Sequence, residues 1–92
     1  MRLRWTEPAA QDLTRICDYI EAQSGPAAAR KVALTIYEGV SSLIDFPKRG
    51  RPGKQVDTRE LVITRLPYIV VYRLRESTVE VFRILHGAQR WP

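Results

Sequence analysis

His86 and Cys17 are the only side chains of their kinds in this sequence. They are also the two that could titrate or react near neutral pH. His86 closes an apolar stretch, three residues after Arg83 and next to Gly87. In that setting it could serve as a general acid or base. The competing reading is a strand-end imidazole that donates to a backbone carbonyl. Cys17 falls among apolar residues at helical spacing, which predicts a buried, inert thiol. One His and one Cys far apart in sequence do not make a zinc site, and no EF-hand pattern occurs. Gly50 to Lys54 contains a Gly-Lys pair without the strand–loop–helix context of a phosphate-binding loop. Ser41, Ser42 or Ser77 could complete a triad with His86 and an Asp, but no nucleophile motif surrounds them.

The other candidate chemistry is ionic. Of 92 residues, 15 are basic and 10 acidic, a net charge of +5, and twelve of the basic residues are Arg. Residues 1–47 hold five basic and six acidic side chains, and residues 48–92 hold ten and four. Guanidinium favours two-point contact with phosphate or carboxylate. The second half is therefore suited to nucleic acid or to an acidic protein segment. Lys48 to Lys54 forms a basic loop broken by Gly50, Pro52 and Gly53. With Arg59, Arg65 and Arg83 on neighbouring strand positions it would make a clamp for a polyanion. The plain alternative is a solvated loop.

These groups must be held by one small fold. The length suits a single domain, 1–92, with 45% apolar residues to build its core. The apolar residues form no run long enough to span a membrane, and the N-terminus lacks a signal-peptide core. A lone cysteine predicts a reducing, cytoplasmic setting. Arg2 to Trp5 alternates as a strand. Thr6 then caps a helix carrying Leu13, Ile16, Cys17 and Ile20 on one stripe, with Asp12 and Arg15 off it. Gly25-Pro26 separates it from a second helix, with Ala29, Val32, Ile36, Val40 and Leu43 on one face and Phe46-Pro47 as its stop. Tyr19 and Tyr37 are read as packing or rim residues rather than functional ones. Strands are predicted at Glu60 to Thr64, Tyr68 to Tyr72 and Thr78 to Leu85. In the last, Val79, Val81, Arg83 and Leu85 are expected on one face, and Glu80, Phe82, Ile84 and His86 on the other. The order β-α-α-β-β-β predicts an α+β fold, with a helical hairpin packed on one face of a small, mainly antiparallel sheet. The opposite face is left partly open.

The chain resembles the ParE/RelE-type toxins of bacterial toxin–antitoxin modules along its whole length. The resemblance lies in Leu3-Arg4-Trp5-Thr6-Glu7-Pro8, Leu43-Ile44-Asp45-Phe46-Pro47 with Gly50-Arg51-Pro52, Arg59-Glu60-Leu61, Pro67-Tyr68-Ile69-Val70-Val71-Tyr72-Arg73 and Val81 to Trp91. It implies a toxin held inactive in a hetero-oligomer with a small acidic antitoxin. That partner would lie along the helical hairpin and sheet, on Leu13, Ile16, Ile20 and Arg73. No cofactor, metal or membrane is implied.

The family divides by mechanism: RelE-like members cut mRNA on the ribosome, and ParE-like members inhibit DNA gyrase. RelE-like nucleases usually carry Arg directly after the aromatic of the central strand, where this chain has Ile69. They carry a basic residue past the Gly after the last strand, where it has Ala88 and Gln89. Many end on a catalytic Tyr, and Trp91 cannot transfer a proton in its place. The pattern therefore points to a gyrase inhibitor rather than an enzyme, with Arg49, Arg51, Lys54, Arg59, Arg90 and Trp91 as its target or polyanion surface. The alternatives are a metal-independent ribonuclease using His86, Arg83 and Arg65, or an inactive member that only binds its antitoxin.

Overall fold

Thr6 sets the direction of the first helix. It is extended, its hydroxyl oxygen accepts from Ala9 N at 3.2 Å, and Pro8 occupies the first turn, where no backbone N–H is missed. The computed structural model describes residues 1–87. Its elements are β1 (Arg2–Trp5), α1 (Glu7–Ser24), α2 (Pro26–Ser41), a 3₁₀ turn (Ser42–Ile44), β2 (Arg51–Pro52), β3 (Thr58–Val62), β4 (Tyr68–Arg75) and β5 (Thr78–His86). Gly25, at φ +92, closes α1 by donating its N–H to Glu21 O and opens α2 in the same step. The left-handed region costs glycine nothing.

The five strands form one sheet in the order β1-β5-β4-β3-β2. β1 runs parallel to β5, and the other pairs are antiparallel. The helices cover one face. The core joins Ala9, Ile36, Val40 and Leu43 from the helical side to Leu61, Ile63, Val70, Tyr72, Val79, Val81 and Ile84 from the sheet. The expected α+β arrangement is therefore present.

Five expectations need correction. The second helix ends at Ser41 and tightens into a 3₁₀ turn before Phe46 and Pro47. Arg51-Pro52, read as loop, pairs with Arg59 and Glu60 as a two-residue strand. That pairing draws the start of β3 back to Thr58, and the turn into β4 takes Thr64. In β5 the simple alternation fails. Tyr72 lies opposite Val81 and Val71 opposite Arg83, so Phe82 is an extra residue, a bulge. Beyond it the faces exchange, and Ile84, not Leu85, continues the core row of Val79 and Val81. Asp12, expected off the buried stripe, is buried at 6% exposure, whereas Leu13, Ile16 and Ile20 are only half-buried.

Candidate functional site

Past the bulge β5 has outrun β1, and α1 takes the place of a neighbouring strand. Thr6 secures the handover: its N–H donates to Val81 O at 3.0 Å and its hydroxyl to Phe82 O at 2.9 Å. Nearly two helical turns later Asp12 replaces the missing strand partner. Its Oδ2 accepts from Ile84 N at 2.9 Å and from Arg83 Nε at 2.7 Å, and its Oδ1 accepts from Arg83 Nη2 at 3.0 Å. Arg15 approaches the same carboxylate at 3.4 Å from the exposed side. The hydrogen bond from Arg83 to Asp12, with the carboxylate's field, raises the Arg83 guanidinium above its ordinary value despite partial burial. Arg83, a catalytic cation only in the ribonuclease alternative, is thus held in a two-point ion pair. Neither sequence spacing nor periodicity singles out Asp12; the only hint is a carboxylate beside an apolar stripe.

His86 ends β5 exposed, opposite Tyr68, whose ring meets the imidazole edge-on at 5.9 Å between centroids. It sits at the mouth of an open cleft of about 680 Å³ that Ile16, Tyr19, Ile20, Val32 and Leu66 also line. Burial comes first, with the Tyr19 and Cys17 charges behind it, in pushing the Tyr68 hydroxyl up. Cys17 is half-buried on the same helix, and its thiol is pushed up by burial first, then by Asp18 and Glu21. Leu13, Ile16 and Ile20, expected as antitoxin contacts, form a half-covered apolar strip. Arg65 stands in the β3–β4 turn, exposed and left-handed at φ +69.

The basic loop is built from beneath. Tyr72, fully buried, accepts from Gly50 N at 2.9 Å and donates to Pro47 O at 2.7 Å. A β-carbon on Gly50 would fall 2.7 Å from the Tyr72 ring and 2.9 Å from Glu60 O, so only glycine fits. Arg59 donates to Gly50 O and Lys48 O, each at 3.0 Å. Arg51 pairs with Glu60 at 3.0 Å, and Arg49 donates to Ser42 Oγ at 2.6 Å. With Arg83, four of the expected clamp residues therefore also bond within the chain, while Lys54 stands exposed. Arg73 donates to Glu80 Oε1 from Nε and Nη2 and lies 4.7 Å over the Phe82 ring. Arg90 and Trp91, with Ala88 and Gln89, lie outside the described residues. Among the described residues no cluster of three His, Cys, Asp or Glu could hold a metal, and no helix is long and apolar enough to cross a membrane.

This framework is shared. The chain is 44% identical over 91 residues to the protein Y4kP of Sinorhizobium fredii, covering 99% of this chain and 93% of that one. It is 40% identical over 85 residues to toxin RelE2 of Caulobacter vibrioides, covering 92% and 93%. Among solved structures, a chain of the chromosomal ParDE toxin–antitoxin system from P. aeruginosa superposes with a TM-score of 0.86 at 32% identity, over 94% of this chain and 95% of that one. The sequence model for the ParE toxin of the type II toxin–antitoxin system parDE matches residues 3–91. With fold and sequence agreeing over nearly the whole length, the chain belongs to the ParE toxin family of type II toxin–antitoxin systems.

Proposed function

We propose that this toxin acts by binding and inhibiting DNA gyrase, and that a cognate antitoxin neutralises it by laying an amphipathic segment along Leu13, Ile16 and Ile20. The observation that carries the first half is the Asp12–Arg83 pair. RNA cleavage needs cations aimed at the charge that develops on phosphorus. A guanidinium already paired with a buried carboxylate is a poor one, and Ile69 stands where the nuclease pattern has Arg. The direct test is supercoiling by purified gyrase in the presence of free toxin. Inhibition at micromolar toxin is expected, and its absence removes the gyrase reading.

A second reading has its own support. His86 is exposed at the mouth of a cleft, and a 40% identical relative is named a RelE toxin. A ribosome-dependent ribonuclease using His86, with Arg65 and Arg83, would cut mRNA at codon positions in a translating extract. His86→Ala would abolish the cutting. Growth arrest on induction separates both readings from an inactive family member.

A further inference from the structure

The registers of β1, β5 and β4 gather four arginines on one face of the sheet. Arg2 and Arg75 lie opposite Thr78, and Arg4 and Arg73 lie opposite Glu80. Leu3, Leu74 and Val79, which alternate with them, pack into the core beneath the helices. The arginines therefore occupy the face turned away from the helices. Strand geometry spaces the two rows about 7 Å apart and sets β1 about 10 Å from β4 across β5. Arg2, Arg4 and Arg75 are exposed. Glu80 is buried beneath them, bonded to Arg73 at 2.9 Å and Arg4 at 3.2 Å. Even with Glu80 and the turn residue Glu76 counted against the four arginines, the patch keeps two positive charges.

The chemistry of the face selects its partner. A protein partner anchors on apolar or aromatic side chains in pockets. The large exposed apolar residues Tyr19, Leu34, Tyr37, Phe46 and Val56 belong to the helices and loops, and Val62, on the same sheet face, lies opposite Ile69 at the far end of β3 from Arg73. Met1 is tied to Ile44 O through its amino group. Phe82, the ring beside this patch, lies under the Arg73 guanidinium. Single-stranded nucleic acid needs open rings on which bases stack, and that same ring is covered. A duplex backbone asks only for cations at its phosphates.

We propose that Arg2, Arg4 and Arg75, with Arg73 held on Glu80 beneath them, bind the phosphate backbone of duplex DNA without reading its bases. The inference does not depend on whether gyrase or mRNA is the target. It is tested by the anisotropy of a labelled mixed-sequence duplex titrated with the full chain at several salt concentrations. The double variant Arg2→Gln/Arg75→Gln leaves the Glu80 ion pairs intact. It should lower the slope of log affinity against log salt by about 1.8, at about 0.9 per phosphate contact. Lys48→Gln/Lys54→Gln removes the same charge from the basic loop and should leave the slope unchanged. Arg2→Lys/Arg75→Lys should keep the parental slope, which separates lost charge from lost fold. Equal effects of the two Gln pairs overturn the proposal. So does a duplex that fails to bind at low salt, or polyglutamate binding where the duplex does not.

Discussion

A carboxylate that accepts from two arginines and a backbone N–H inside the fold cannot be replaced without leaving donors unmet. Asp12 is such a group. Asp12→Ala is expected to cost about 3 kcal/mol, read from the urea midpoint, because it strips Arg83 and Ile84 N together. Asp12→Asn keeps an acceptor for Ile84 N and should cost less. Glu80 offers a pH test. The hydrogen bond from Arg73, ahead of the fields of Arg4 and Arg75, holds its carboxyl below the usual range against the opposing effect of burial. A depressed carboxyl stabilises the fold above its unfolded value and loses that contribution as pH falls through the folded one. Glu80→Gln should therefore weaken the protein at neutral pH, and the gap to the parent should close in acid below about pH 4. Urea titrations at stepped pH values measure it. At this scale the sequence was least legible. Asp12 looked like a solvent-facing helix residue, because its partners Arg83 and Ile84 lie far along the chain and become neighbours only in the fold.

The elements were easier to read, and the misses have physical causes. Thr6, Gly25-Pro26 and the β-branched run of β4 announced their boundaries through caps and turn chemistry that act within a few residues. β2 is two residues long and exists only because Arg59 and Glu60 offer it an edge, so no local pattern could mark it. The bulge at Phe82 is likewise invisible to period-two counting, since it is set by register against β4. Tyr72 shows how an element positions a loop. Its hydroxyl joins Gly50 N to Pro47 O from inside the core. Tyr72→Phe should cost about 1–3 kcal/mol, the cost of leaving a buried N–H unmet. Amide exchange at Gly50 should rise with it, which hydrogen–deuterium exchange would register.

For the molecule as a whole, apolar patterning correctly indicated a sheet beside a helical hairpin, whereas the charge asymmetry marked the second half of the chain and missed that Arg2 and Arg4 of the first half join the sheet's arginine face. The half-covered strip on α1 is the surface where the antitoxin reading can be separated from the target reading. Ile16→Glu with Ile20→Glu should weaken antitoxin capture at least tenfold, about 1.4 kcal/mol. Gyrase inhibition by the free toxin should survive. Titration calorimetry against the antitoxin, beside a supercoiling assay, checks both halves.

The parallel pairing of β1 with β5 has a consequence for how the protein is made. The first strand of the chain finds its neighbour only in the last. The Asp12 contacts also wait for β5. While the polypeptide is still being translated, α1 and α2 can form, but the sheet has no place to close on the first strand. Contacts between such distant segments form late. A product that stops short of β5 therefore lacks the finished sheet.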